Sequence, residues 1–171
     1  MHRRSLIALL AAVAALAGCG FELRRTPELP FGKIALVGFE PRSPLAAELR
    51  RTLGERVQVL DAVDQADVVL QVLLDRRERS VVASTASAQV RELTLRVRFN
   101  YQITDAGGRE LAPATEILLA RDMSYSETFA LAKAQEEAQL YAAMQTDIVQ
   151  QLVRRLARVK RPGAAVAAPA S

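Results

Sequence analysis

Histidine and cysteine are nearly missing from this 171-residue chain, which has one histidine, His2, and one cysteine, Cys19. Both lie close to the N-terminus. The rest therefore has no imidazole for general-base work, no thiol nucleophile, and no His or Cys to ligate zinc. Serine, lysine, tyrosine and carboxylate chemistry stay open, but the part that folds contains no Gly-x-Ser-x-Gly elbow and no Ser-x-x-Lys. Arginine is what the sequence concentrates. Arg76, Arg77, Arg79, Arg91, Arg96 and Arg98 crowd one stretch, diluted by Asp75, Glu78 and Glu92, and Lys133 follows further on. Arginine presents several donors in a planar fork that fits phosphate and carboxylate. Anion binding, not catalysis, is the chemistry these residues can do. The alternative for any one arginine is an exposed strand charge that blunts a sheet edge, and for Lys133 an ordinary solvated helical lysine.

Cys19 has a chemistry of its own. His2-Arg3-Arg4 give a positive start, Leu6 to Ala17 are apolar, and small residues stand just before the cysteine. That is the pattern of a secretory signal peptide. Crossing a bilayer takes about 20 apolar residues, so this run is too short for a permanent span. Leu16-Ala17-Gly18-Cys19 resembles a bacterial lipobox. The resemblance implies cleavage before Cys19 and acylation of its sulfur and its new amino group. Gly20 follows where an aspartate would imply retention at the inner membrane, so the outer membrane is the expected home. The covalent lipid on Cys19 is the one non-protein group expected, with no cofactor and no metal.

The chain then divides into residues 1–18 as a leader, 19–32 as lipidated cysteine and extended tether, 33–160 as one domain, and 161–171 as a disordered Ala/Pro tail. Removing the leader takes 171 residues to 153 and Lys+Arg from 23 to 21 against 19 Asp+Glu, so the net charge falls from +4 to near +2. This balance does not point to nucleic acid, which asks for a clustered basic footprint and stacking aromatics.

Within the domain, Lys33 to Phe39 alternates as a first strand. Ser43-Pro44 is a capped helix start, and Leu45, Leu49 and Leu53 form one apolar face before Gly54. Val57 to Leu60 completes a strand–helix–strand unit. Ala66 to Val82 begins apolar and turns basic, and Ser84-Thr85-Ala86-Ser87 predicts a turn. Leu93, Leu95, Val97, Phe99, Tyr101 and Ile103 then alternate with polar residues, which predicts an antiparallel strand with one buried and one wet face. Asp105-Ala106-Gly107-Gly108 turns the chain, and Pro113 predicts that the next strand starts near Thr115. Ser124 or Ser126 can cap a last helix, Ser124 and Glu127 having capping-box spacing. Its stripe is Leu140, Met144, Ile148, Leu152, Leu156 and Val159. The expected fold is α+β, a two-layer sandwich with two helices on one face of a small mixed, mostly antiparallel sheet.

The order of elements, joined to Cys19-Gly20-Phe21-Glu22-Leu23-Arg24, resembles the LptE family. The stretches Ala130-Leu131-Ala132-Lys133 and Gln151-Leu152-Val153-Arg154-Arg155-Leu156 carry the likeness as well. The resemblance implies a lipoprotein of the outer membrane, held on the periplasmic side within the lumen of the LptD β-barrel. There such proteins plug the barrel, help it assemble and bind lipopolysaccharide in transit, without catalysis. Lys133, Arg91, Arg79, Arg77, Arg96 and Arg98 are the residues expected to meet lipopolysaccharide. A periplasm-facing lipoprotein that docks another envelope component on its sheet edge is the competing expectation.

Overall fold

The computed structural model describes residues 28–84 and 89–160. The leader, Cys19, most of the tether, residues 85–88 with most of the expected turn, and the Ala/Pro tail lie outside them. In order come β1 (Lys33–Val37), α1 (Pro44–Gly54), β2 (Gln58–Leu60), β3 (Val68–Ser84), β4 (Val90–Thr104), β5 (Glu110–Ser124) and α2 (Ala130–Leu156). Ser43 Oγ accepts from the Ala46 amide at 3.2 Å and proline fills the first helical position of α1. This satisfies one otherwise unpaired donor and dispenses with another. The helix buries Leu45, Leu49 and Leu53, as the four-residue spacing requires.

The strands lie in the order β2-β1-β3-β4-β5. β1 runs parallel to both β2 and β3, whereas β3, β4 and β5 form antiparallel ladders. Both helices cover one face. Their buried leucines, Met144 and Ile148 share a single core with Leu93, Leu95, Phe99, Tyr101 and Ile103 of β4. Burial of each such side chain contributes about 1.5–3 kcal/mol. Phe31 joins this core just ahead of β1, so the end of the tether is packed.

The sheet has two unlike ends. Residues 28–33 enter at the proximal end, where β2 and β3 also begin. Both helices run toward it: α1 starts beyond β1 and returns to β2, while α2 passes Glu78 at Tyr141 and reaches Thr115 at Arg155. β1 pairs with β3 only as far as Gln71. Beyond that level β3, β4 and β5 continue alone as a long three-stranded arm, whose far tip is the distal end.

Two local expectations are corrected. β5 begins at Glu110, not near Thr115. Pro113 is accommodated because β5 is the sheet edge and because the ladder slips there, Tyr101 facing Thr115 but Ile103 facing Ala112. Neither Ser124 nor Ser126 caps α2. A 3-10 turn at Glu127–Phe129 leads into the helix, Ser126 makes no side-chain cap bond, and the Ser124 hydroxyl accepts from Lys133 Nζ at 2.9 Å instead.

β1 ends at Gly38, whose φ of 81° lies in the left-handed region. A Cβ there would come 2.4 Å from the Val72 carbonyl oxygen of the neighbouring strand. Both the torsion and the close approach exclude a side chain. Gly38→Ala should lower unfolding stability by at least ~2 kcal/mol in urea titration. Wild-type stability in that variant would mean that β1 does not lie against β3 in this way.

Candidate functional site

The position of each arginine is set by one irregularity in β3. Val68, Leu70 and Val72 face the helices, but the pairing then shifts between Val72 and Leu74, leaving Leu73 as an extra residue. After this bulge the helix-facing residues are Asp75, Arg77, Arg79 and Val81, opposite Phe99, Val97, Leu95 and Leu93. The predicted basic cluster is therefore split between the two faces of the sheet.

Arg77 and Arg79 point to α2. Arg77 lies 5.4 Å over the Tyr141 ring and donates to Gln145 Oε1 at 2.9 Å. Gln145 in turn donates to Glu48 of α1 at 2.6 Å, so the arginine is tied through one amide to both helices. Arg79 pairs with Glu137 at 3.2 Å, and Tyr141 OH donates to the Glu78 carbonyl at 2.8 Å. These two arginines hold the helix on the arm. Arg96 and Arg98 are on the open face, as their parity requires. Arg96 donates to Ser80 at 3.3 Å and Arg98 pairs with Glu116 at 3.1 Å.

Arg91 and Lys133 both lie at the distal end. Glu92 is in register with Ser124, and the Tyr125 amide donates to the Arg91 carbonyl at 2.8 Å. Lys133 Nζ reaches the same rung, donating to Ser124 Oγ, and also to Glu136 Oε2 at 2.8 Å. Lys133 is seven residues before Leu140, nearly two full helical turns, so it continues the apolar stripe toward the sheet. Its side chain is only 19% exposed. The Arg91 guanidinium is at the surface and donates to Gln89.

The same end of the molecule carries apolar side chains open to solvent: Val81 and Val82, Phe129 at 64% exposure and Leu131 at 78%. Sequence reasoning missed them. The signal was available for Leu131, which lies nine residues before Leu140 and hence half a turn around the helix from its stripe. The whole first half of α2 is thinly packed, since Met144 is its first buried residue. Cations beside exposed apolar groups suit an anionic amphiphile. Among the described residues no cluster of His, Cys, Asp and Glu could hold a metal ion, and no helix is long and apolar enough to cross a membrane.

The chain is similar to known proteins. A family model described as LptE, lipopolysaccharide-assembly, matches residues 31–156. The LPS-assembly lipoprotein LptE of Yersinia pestis (strain Pestoides F) is 29% identical over 162 residues, covering 92% of this chain and 77% of its own. Among solved structures, an uncharacterized lipoprotein B from Nitrosomonas europaea is 32% identical, with a TM-score of 0.68 over 81% of this chain and 90% of that one. The rare lipoprotein B of Shewanella oneidensis, 24% identical, has the same fold at a TM-score of 0.63, covering 74% of this chain and 94% of that one.

Asp75 offers a test of the bulge. The register shift puts this carboxyl on the helix-facing side, in a small cleft with Leu45, Arg77, Tyr141 and Gln145. Burial raises its pKa above the ordinary 3.8, outweighing the pull of Arg77, and Glu40 raises it further. The folded state thus holds the proton more tightly than the unfolded state. The associated stability is complete below the ordinary value and is lost as pH rises through the raised one. Asp75→Asn should raise the melting temperature at neutral pH, and the gain should shrink to nothing below pH ~3.8. The absence of any gain at neutral pH would place Asp75 in water on the other face.

Proposed function

The chain belongs to the LptE family of lipopolysaccharide-assembly lipoproteins, and from that membership we propose that it plugs and helps assemble the LptD β-barrel and binds lipopolysaccharide on its way to the outer leaflet. The family is structural and not enzymatic. In this reading an acylated Cys19 holds the protein at the outer membrane, and the domain lies on the periplasmic side within the barrel lumen. The wet sheet face of Arg96, Arg98 and Gln102 suits a polar lumen.

The observation that carries the binding step is the distal end, which carries both Arg91 and Lys133 and the exposed apolar side chains of Phe129, Leu131, Val81 and Val82. Lipopolysaccharide is an anionic amphiphile, with phosphates for the cations and acyl chains for the apolar side chains. The ion pair of Lys133 with Glu136 joins residues three apart on a helix. Such pairs contribute only about 0.2–0.5 kcal/mol, so a phosphate can displace the carboxylate at little cost.

Purification of the tagged lipoprotein from detergent-solubilised membranes should recover a large β-barrel protein in near-equal amount. Recovery of the lipoprotein alone, with barrels intact, would leave the role of docking another envelope component. For the ligand, Lys133→Glu and Arg91→Glu should each weaken lipopolysaccharide binding by about tenfold, the effect of ~1.4 kcal/mol. Their circular dichroism should match the parent. Arg96→Glu and Arg98→Glu, on the opposite face, should bind normally, and a loss confined to them would move the site there.

A further inference from the structure

After Asp147 the sequence contains no Asp or Glu, yet Arg154, Arg155, Arg158 and Lys160 crowd the last described residues. A helix C-terminus favours cations, but the effect is confined to the last turn. Arg154 and Arg155 lie in the last turn of α2, while Arg158 and Lys160 lie past its end, beyond the reach of that effect. Among the described residues none of the four forms an ion pair; Arg155 donates only to the Thr115 hydroxyl, at 2.9 Å. α1 ends at the same side of the molecule and adds Arg51 and Arg56, equally without ion pairs. The carboxylates of this end are Glu55, which caps α1 between Arg51 and Arg56, Asp61 paired with Arg50, Asp105 paired with Arg109, Asp67 accepting from the Gly32 and Lys33 amides, and Glu28, Asp64 and Glu110; none lies on α2.

We propose that the proximal ends of α2 and α1 form a landing surface for the anionic phospholipid headgroups of the leaflet that holds the acyl anchor. Position selects this partner. The chain enters at the same end, and residue 28 is nine residues from Cys19, a span of at most about 30 Å. The orientation rests on the lipoprotein reading of Cys19 and not on the barrel or lipopolysaccharide readings. A second copy of the chain would oppose cation to cation. An acyl anchor and a basic surface are the two signals that together give stable membrane attachment, and each cation near an anionic surface strengthens binding several-fold.

The test uses the chain with Cys19→Ser behind a cleavable signal, so that tether and domain are released without lipid. It should sediment with vesicles of phosphatidylethanolamine and phosphatidylglycerol, and high salt should release it. It should not sediment with phosphatidylcholine vesicles. Combined Arg154→Glu, Arg158→Glu and Lys160→Glu should weaken binding tenfold or more with unchanged circular dichroism, whereas Arg96→Glu should have no effect. Equal binding to neutral vesicles, or parental binding by the triple variant, would overturn the proposal. So would an equal loss in Arg96→Glu, which would reduce the effect to net charge, or retention only when the barrel protein is present, which would assign the cations to a protein surface. Failure here with the barrel still co-purifying would leave the proposed function standing.

Discussion

One extra residue in β3, Leu73, decides which side of the sheet the arginines face. Side chains alternate along a strand, so inserting a residue exchanges the two faces for everything beyond it. Without it, Leu74, Arg76, Glu78 and Ser80 would meet α2, and Arg77 and Arg79 would stand in water. With it, Arg77 lies over Tyr141 and reaches Gln145, and Arg79 reaches Glu137. The same shift partly withdraws Asp75 from water, which is why its carboxyl resists ionisation despite Arg77. The bulge therefore exchanges an apolar contact for a set of polar ones, at the cost of one poorly solvated acid.

That exchange gives the molecule two halves of different character. In the proximal half, leucines of α1 and the second half of α2 pack on Tyr101, Phe99 and Ile103, and burial of this kind is the dominant stabilising term. In the distal half Leu93, Leu95 and Met123 are still buried, but α2 presents no fully buried side chain of its own before Met144 and adds ion pairs, hydrogen bonds and one cation–π contact with partly exposed partners. Exposed ion pairs contribute about 0–1 kcal/mol each. Segments with few buried apolar contacts open most readily. The half that carries Arg91 and Lys133 is accordingly the half that can adjust to a ligand, while the half near the tether is fixed.

Much of the fold was legible because its signals are local. Ser43-Pro44 and the leucines behind it specify α1, and the alternation of Leu93 to Ile103 specifies both faces of β4. The apolar stripe from Leu140 to Val159 states which side of α2 meets the sheet. The misses have a common physical origin, in that each depends on a neighbour the sequence does not name. Pro113 breaks a strand only if both sides are paired, and β5 is an edge. Ser124 and Glu127 have the spacing of a capping box, but the serine hydroxyl is engaged by Lys133. The bulge left only the Leu73-Leu74 doublet as a trace, so the sequence did not say which face Arg77 and Arg79 would take.

The two ends of α2 show where charge follows helix stability and where it does not. At the C-terminal end Arg154 and Arg155 complement the negative end of the dipole, although they and their neighbours outnumber what it can use. At the N-terminal end the dipole disfavours a cation, and the first turn of α2 contains no acidic residue. Lys133, the fourth residue of the helix, is placed against that field and is partly withdrawn from water. Ser124 and Glu136 compensate locally. An uncharged residue would serve the helix better in both respects, so the stability of α2 does not account for a lysine there. An anion arriving at the distal end would be drawn by the dipole and by Lys133 at once, and that shared attraction is the physical reason to place the ligand at this end of the arm.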